Sequence, residues 1–358
     1  MKNLLLLFGG QSSEHVVSRN SAGSLLPSVS RDEFNIMTVG ITRSGAWYLT
    51  KATPERIASG EWEHDPENRP AFLSPNRAMR GLQVVTDKGL VSMPVDVVFP
   101  LMHGELCEDG AIQGLLEMCG LPYVGPDVCA SACCMDKSVT KLVIAPTGIR
   151  QAKYVLVTKA DLDADAAAAA ERVERELGTG YPIFVKPASA GSSVGVTKAH
   201  DRTELLLAFE KAVKVCKKIL AEEAITGHEV EVGVLGNADP QASCVGEILA
   251  ANEFYDYEAK YENEASRTVI PAEIPEEASE KLRSAAVTVF RALSCEGMAR
   301  VDFFLTPDGE VVFNEINTLP GFTRISMYPK LWEARGLSYP RLISRLCELA
   351  VERGNRMP

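Results

Sequence analysis

The first third of the chain alternates apolar blocks with amphipathic segments. The apolar blocks predict three strands, over residues 3–8, 34–41 and 95–101. Helices are predicted from about residue 18 and after residue 110. Strands and helices that alternate in this way form a parallel sheet, which binds ligands at the carboxyl ends of its strands. The polar, proline-containing stretch 54–80 predicts a surface excursion.

The rest of the chain divides into two further segments. The first has a predicted helix over 130–142, a charged, alanine-rich helix over 164–177, and strands over 154–157 and 182–186. The second has predicted helices over 279–293 and 339–351, and strands over 229–235, 242–249, 297–305 and 311–316. These patterns predict an α/β protein of three domains, with boundaries at 1–124, 125–222 and 223–358.

Charged and amide side chains interrupt the last two predicted strands, which a Pro-Asp-Gly turn joins into a hairpin. If the loop is the four residues 307–310, Asp302 lies opposite Glu315 and Arg300 lies opposite Asn317. A three-residue loop would instead put the two acids on opposite faces. Two carboxylates and an amide oxygen on one face suit Mg²⁺ that carries phosphate oxygens. The alternative is an ordinary exposed face with ion pairs.

Three polar segments have the composition of ligand-binding loops. The glycine- and serine-rich stretch 188–195 follows Lys186 and is typical of an anion nest, or else of a flexible surface loop. Residues 222–229 form an extended linker that offers backbone groups to a purine. Residues 253–262 contain three tyrosines and a lysine, which favours either a loop that closes over a site or an edge strand.

Two shorter features are weaker. Gly9 and Gly10 end the first strand, but the GxGxxG pattern is not completed, so a dinucleotide oxidoreductase is a poor match. His103 and Glu108 follow another strand of the parallel sheet, where ligands collect. A lone histidine at such a place is usually structural.

Composition restricts the partners. The chain has 358 residues, 46% hydrophobic and 24% charged, with a formal net charge of −11. This charge argues against a nucleic-acid backbone as partner, and no apolar run has the length of a membrane span. Nine cysteines without a CxxC pair predict reduced thiols in a cytoplasmic protein.

Taken in order, the sequence motifs resemble those of the ATP-grasp ligases, and among them the D-alanine–D-alanine ligases. The resemblance runs from residue 4 to about residue 349 and includes GGQSSEHVVS, HGELCEDGAIQGLLE, VKPASAGSSVGV, EFYDYEAKY, RVDFFL, NEINTLPGFT and SMYP. It implies a three-domain ATP-grasp fold whose N-terminal domain is Rossmann-like. It also implies the ATP-dependent joining of two D-alanines through an acyl phosphate, for peptidoglycan synthesis.

The resemblance assigns roles to individual residues. The metal ligands would be Asp302, Glu315 and Asn317. The catalytic groups would be Glu14, Ser192, Tyr261, Arg300 and the backbone N–H of Gly321. The nucleotide would contact Lys137, Lys186, Ser192, Glu222, Ala224, Ile225, Glu229 and Lys260. The two D-alanines would contact Glu14, His103, Arg300, Ser326 and Met327.

The resemblance also implies cofactors and partners. It implies ATP with two Mg²⁺ ions, Mn²⁺ as a substitute, K⁺ as an activator, and a cytoplasmic homodimer. Tyr261 favours an amine as the second nucleophile, because D-lactate-using relatives replace the Lys-Tyr pair of this loop. The rival hypotheses are a D-lactate or D-serine ligase, and a catalytically silent ATP-binding protein.

Two residues depart from the family pattern. Cys107 stands where the family usually has glycine, which leaves the backbone shape of the His103 loop open. Val16 replaces a commonly acidic residue and is expected to change a helix N-terminus rather than the chemistry.

Overall fold

The computed structural model describes residues 1–249 and 267–355, which form an α/β structure with three sheets. This confirms the predicted fold class. Within these residues, no helix combines the length and apolar character needed to cross a bilayer.

The N-terminal sheet has seven strands, in the order β6-β5-β4-β3-β2-β1-β7. In chain order these are β1 Lys2–Gly9, β2 Phe34–Ile41, β3 Trp47–Thr50, β4 Arg69–Leu73, β5 Leu82–Thr86, β6 Gly89–Met93 and β7 Val97–Leu101. Strand β1 pairs in parallel with both β2 and β7, as predicted. The helices are α1 His15–Leu25, α2 Pro54–Ser59 and α3 Ala111–Met118.

Residues 54–80 are more than the predicted surface excursion, because they contain α2 and β4. Trp62 in this stretch is fully buried, and its ring lies 5.0 Å from that of Phe8, edge to face. A side chain at Gly40 would collide with the Trp62 ring. The packing of the Trp62 ring therefore holds the polar stretch 54–80 against the sheet.

The central sheet has four strands in the order β11-β10-β12-β9, whose pairs are all antiparallel. They are β9 Tyr154–Thr158, β10 Ile183–Pro187, β11 Thr197–Ala199 and β12 Lys218–Glu223. Helices α6 Lys159–Leu177 and α7 Arg202–Ala212 cover one face of the sheet, with Val173 and Phe209 among the buried contacts.

The C-terminal sheet has six strands in the order β15-β14-β13-β16-β17-β8. They are β8 Arg150–Gln151, β13 His228–Gly236, β14 Gln241–Leu249, β15 Arg267–Val269, β16 Gly297–Leu305 and β17 Val311–Asn317. The helices associated with it are α4 Val128–Met135, α5 Lys137–Ile144, α8 Glu276–Ala292, α9 Met327–Ala334 and α10 Tyr339–Gly354.

The single helix predicted over 130–142 is two helices, α4 and α5. Asp136 ends the first and caps the second, because its side chain accepts hydrogen bonds from the N–H groups of Ser138 and Val139, at 3.0 and 3.3 Å. Lys137 is thereby placed in the first turn of α5.

The β16–β17 hairpin has the predicted pairing but not the predicted loop. The Thr306 N–H donates to the Glu310 carbonyl at 3.0 Å, which leaves a loop of only three residues. Asp302 nevertheless lies opposite Glu315, and Arg300 opposite Asn317. A β-bulge restores this register, because Phe303 pairs with Phe313 and Asn314 is the extra residue.

Helix α10 packs against the N-terminal sheet. The hydrophobic core between them therefore contains residues from both ends of the chain. Arg353 of this helix donates to the carbonyls of Tyr123 (2.9 Å) and Gly125. Leu319 and Phe322, which follow β17, are buried in the same core. The segment after the hairpin is therefore fixed against the N-terminal sheet.

Candidate active site

Two cavities meet at the hairpin. The larger, of about 480 Å³, lies between the central and C-terminal sheets. The smaller, of about 260 Å³, lies between the hairpin, the N-terminal sheet and the 188–195 loop. Glu231, Ile248 and Glu315 line both cavities. A group bound in one cavity can therefore reach a group bound in the other beside Glu315.

A buried ion cluster forms one wall of the larger cavity. Both oxygens of Glu222 are engaged, one by Lys141 at 2.9 Å and the other by Lys186 at 2.7 Å. Burial alone would raise the pKa of Glu222, but the two lysines hold it down at about 2. The cluster combines two cations with one anion and so has a net positive charge, and Lys186 and Glu222 are its members that line the cavity.

Other predicted nucleotide contacts line the same cavity. Lys137 donates to the Ala190 carbonyl at 3.0 Å and pairs with Glu315 at 3.2 Å. Ala224, Ile225 and Glu229 line the cavity along the extended linker. The apolar part of its wall includes Phe184, Ile248 and Phe304.

The three predicted metal ligands lie together on one face of the hairpin. Asp302 is 8% exposed. It accepts from Arg300 at 2.7 and 2.8 Å and from the Asn317 amide at 3.0 Å. Two carboxylates and an amide are the hard oxygen donors that a divalent cation such as Mg²⁺ takes, so the set fits such an ion. Within residues 1–249 and 267–355, the hairpin included, no three His, Cys, Asp or Glu side chains are grouped to hold a metal, and the third member of this set is an amide.

Arg300 lies between acids of two strands. Besides Asp302, it pairs with Glu231 of β13 at 3.0 Å. Burial alone would lower the pKa of Arg300, but these carboxylates raise it well above its ordinary value. The guanidinium therefore remains charged at the edge of the smaller cavity.

Glu14 is the buried carboxylate of the smaller cavity. The Ser192 hydroxyl donates to it, which joins the first βα turn to the 188–195 loop. Ser192 and Ser193 have left-handed backbones, with φ of 49° and 56°. A side chain at Gly104 or Gly191 would come within 2.6 or 2.7 Å of the Glu14 carboxylate, so both positions need glycine.

The remaining predicted substrate residues line the far side of the smaller cavity. Ser326 and Met327 stand at the start of α9, and the Ser326 hydroxyl accepts from the Thr323 N–H at 3.0 Å. Gly321 lies beside Ser326, since a side chain there would come 2.9 Å from its hydroxyl. His103 donates to or accepts from Ser21 at 3.2 Å and contacts the Leu319 carbonyl at 3.0 Å.

Comparison with known proteins agrees with this arrangement. The family model for the N-terminus of D-ala D-ala ligase matches residues 3–126, and the model for its C-terminus matches residues 143–348. The chain belongs to the D-alanine–D-alanine ligase family.

Individual members of the family are similar over almost the whole chain. The D-alanine–D-alanine ligase of Acetivibrio thermocellus is 48% identical, over 99% of this chain and 97% of the relative. That of Clostridium acetobutylicum is 47% identical, over 99% of both chains. Among solved structures, the VanG D-Ala:D-Ser ligase of Enterococcus faecalis has a TM-score of 0.88 and 38% identity, covering 98% of this chain and 99% of its own. The D-alanine–D-alanine ligase of Coxiella burnetii has a TM-score of 0.85 and 34% identity, covering 99% and 96%.

Two predicted D-alanine–D-alanine ligase site residues, Lys260 and Tyr261, lie outside the described residues. Every other predicted site residue lies at one of the two cavities or contacts a residue that lines them. Their individual roles stay predictions.

Three residues at the cavities were missed by the sequence reasoning. Glu231 shares a strand face with Glu229, a spacing of two that could have signalled it. Asn314 reaches the larger cavity only because it is the bulge residue, and it accepts from Lys186 at 3.1 Å. Glu108 lines the smaller cavity. Its loop was noted in the sequence, but no role was assigned to its side chain.

The structure also answers the question about Cys107. Its side chain is fully buried, and a side chain at Gly10 would come 3.6 Å from its sulfur. The left-handed positions of this loop are Gly104, Leu106 and Gly110, with φ of 75°, 64° and 95°, and not Cys107. A cysteine is therefore accommodated there without backbone strain.

Proposed function

We propose that this protein uses ATP to join two D-alanines into D-alanyl-D-alanine for peptidoglycan synthesis, with the residue roles given below. Family membership carries the activity. One geometric observation supports the roles: the larger cavity and the smaller cavity meet at Glu315, beside Arg300 and Asp302. A phosphoryl donor in the first can thus face a carboxylate in the second.

The larger cavity is the proposed ATP site. Its apolar wall suits adenine, and the extended linker with Ala224 and Ile225 offers backbone groups to the base edge. Glu229 is proposed to take the ribose hydroxyls. Lys137 and Lys186 are proposed to take the phosphates, which the net positive charge of the Glu222 cluster supports.

In the first step, a carboxylate oxygen of one D-alanine attacks the γ-phosphorus of ATP. The acyl phosphate forms and ADP leaves. Arg300 is proposed to steady the transferring group, and its raised pKa keeps it charged for this task. Glu14, held by Ser192, is proposed to bind the ammonium of the same D-alanine.

In the second step, the amine of the other D-alanine attacks the acyl carbon and phosphate leaves, while the amine loses its proton. The N–H of Gly321 is proposed to face the developing oxyanion. Ser326 and Met327, at the start of α9, are proposed to hold the second carboxylate, with the helix dipole in their favour. Lys260 and Tyr261 are proposed to close the site.

The family uses ATP with a divalent metal. We propose two Mg²⁺ ions held by Asp302, Glu315 and Asn317, with Mn²⁺ as a substitute and K⁺ as an activator. When bound, such a metal neutralises the charge of the phosphates. Also proposed are a homodimer, a cytoplasmic location and the three domains 1–124, 125–222 and 223–358.

The experiment is phosphate release from ATP and Mg²⁺ with D-alanine, L-alanine, or D-alanine plus D-lactate or D-serine, with products identified by mass spectrometry. Phosphate release with D-alanine alone, accompanied by the dipeptide, is expected. The similarity to a D-Ala:D-Ser ligase makes D-serine the competitor to watch. A mixed product that exceeds the D-alanine dipeptide would replace the proposed acceptor, and ATP binding without turnover would overturn the proposal.

A further inference from the structure

Glu108 forms two hydrogen bonds with Gly104 within the loop between β7 and α3. The Glu108 N–H donates to the Gly104 carbonyl, and the Gly104 N–H donates to the Glu108 carboxylate, both at 2.9 Å. These two bonds join the same two residues in opposite directions, so they fix the side chain as well as the backbone. The Glu108 carboxylate is thereby held at the wall of the smaller cavity.

From this position Glu108 faces the Leu319 peptide group together with His103. The Leu319 carbonyl is bonded to the His103 ring at 3.0 Å. The Leu319 backbone also lowers the pKa of Glu108, so the two groups are neighbours. One loop of the N-terminal sheet thus holds the Leu319 carbonyl through His103, and Glu108 fixes that loop at Gly104, the residue next to His103.

Leu319 stands midway between two groups of the proposed chemistry. Asn317, a proposed metal ligand, precedes it by two residues, and Gly321, the proposed oxyanion donor, follows it by two. Leu319 itself is 2% exposed and lies in the core that β1, β7 and α10 share. A shift of its peptide would therefore move Asn317 and Gly321 relative to Glu14.

We infer that Glu108 is a positioning residue of the ligase, which together with His103 sets residues 317–321 against the D-alanine cavity. This inference rests on the proposed function. It gives Glu108 no contact with the reacting atoms and no share in binding the metal.

The charges around Glu108 give the inference a second, independent readout. Burial, and after it the nearby Glu14, raise the pKa of Glu108 to about 8, while the Gly104 N–H and Arg300 act in the opposite direction. His103 and the Cys107 thiol also face this carboxyl group, and burial lowers the pKa of the first and raises that of the second. Glu108 is therefore mostly neutral at neutral pH and becomes charged as the pH rises through about 8.

The test compares Glu108→Ala and Glu108→Gln with Glu105→Ala, a change at an exposed position of the same loop. Steady-state phosphate release with D-alanine is measured from pH 6.5 to 9.5, alongside melting temperature. For Glu108→Ala we expect kcat to fall about 10- to 100-fold, the effect of a small displacement of catalytic groups, with little change in KM for ATP. We expect the wild-type kcat to decline as Glu108 becomes charged near pH 8. Glu108→Gln, which cannot ionise, should stay within a few-fold of wild type at pH 7 and lack this decline.

The outcomes separate the inference from the proposed function. A wild-type enzyme without D-alanine-dependent phosphate release would overturn the function. Given an active wild type, the inference fails if Glu108→Ala keeps wild-type kcat, or if Glu108→Gln keeps the alkaline decline unchanged. If Glu108→Ala proves unfolded, the pH profile of Glu108→Gln decides alone.

Discussion

Two glutamates, one at each cavity, have pKa values on opposite sides of the ordinary value. Glu222 lies between Lys141 and Lys186, which hold its pKa at about 2. Glu108 has only backbone N–H groups and a more distant Arg300 in its favour, and burial beside Glu14 raises its pKa to about 8. Glu222 is thus charged at neutral pH, whereas Glu108 gains or loses its proton near pH 8, because the two glutamates have different counter-ions.

The difference suits the two substrates. Lys137, Lys186 and Lys198 line the larger cavity and can pair with the charges of a polyphosphate. Glu14 and Glu108 line only the smaller cavity, where a substrate ammonium needs a negative partner. The hairpin lies between these environments, since Asp302 lines the larger cavity, Arg300 and Asn317 line the smaller, and Glu315 lines both.

The largest expected effect comes from changing a side chain of the hairpin that lies between the two cavities. Asp302→Asn removes a carboxylate from the proposed metal ligands and should lower kcat about 100-fold or more, because the charge stabilisation lost amounts to several kcal/mol. The fold should persist, since Arg300 keeps its ion pair with Glu231. Phosphate release across a Mg²⁺ titration measures the effect.

Asp308→Asn provides a control for Asp302→Asn. Asp308 lies in the exposed turn of the same hairpin. It should therefore have wild-type activity. Unchanged Mg²⁺-dependent turnover in Asp302→Asn would refute the assignment of this face as the metal site.

Glu222→Gln should have the largest effect on stability. The variant removes the carboxylate that pairs with Lys186 and with Lys141, whose side chain is 2% exposed. Leaving a buried charge without its partner lowers the free energy of unfolding by about 3–5 kcal/mol. Because the folded pKa of about 2 is below the ordinary 4.5, this contribution is present above pH 4.5 and is lost as the pH falls toward 2. Chemical denaturation at pH 7, 5 and 3.5 should show a narrowing difference from wild type. Glu210→Gln, at an exposed position, is the control, and a difference that widens with acid would contradict the ion-cluster account.

Glu108→Gln should show the opposite pH dependence of stability. The folded pKa of Glu108, about 8, is above the ordinary 4.5. The stability that its neutral form contributes is thus complete below pH 4.5 and is lost as the pH rises through 8. Relative to wild type, Glu108→Gln should become more stable from pH 5 to pH 9, as thermal melting can measure. Parallel curves over this range would mean that Glu108 does not change its charge there.

Local sequence predicted one of these environments better than the other. Alternation along two strands placed Arg300, Asp302, Glu315 and Asn317 on one face if the loop had four residues, and the structure has that pairing. The loop has three residues, the alternative that was expected to put the two acids on opposite faces. The bulge at Asn314, which no local pattern indicates, restores the pairing.

The rest depends on contacts between residues that are distant in sequence. Nothing near Lys141 in the chain indicates Glu222 as its partner. The hydrogen bond between His103 and the Leu319 carbonyl likewise joins the N-terminal sheet to the segment after the last strand. Which counter-ion a buried carboxyl group meets is decided by packing, so its pKa cannot be predicted from the sequence alone.

The smallest expected effect comes from adding a carboxylate near Arg19, at the start of helix α1. Helix α1 has no acidic residue in its first turn, and Val16 there is 39% exposed. Arg19, one turn along, has a buried Nε without a hydrogen-bond partner in the described chain. Val16→Glu should stabilise the protein by about 0.5 kcal/mol, through the helix dipole and an i,i+3 ion pair.

The competing influence on Val16→Glu comes from Glu61 and Glu63, which line the same surface cleft as Val16, Arg19 and Arg43. Glu63 already pairs with His15 at 3.4 Å, and Glu61 lies 3.9 Å from Arg56, so both have other partners. Denaturation midpoints of Val16→Glu, Arg19→Gln and the double variant form a cycle that isolates the new pair. Val16→Gln separates charge from size. A destabilised Val16→Glu, or a gain that survives Arg19→Gln undiminished, would show that Arg19 is not the partner and that counter-ions at this helix start are already balanced.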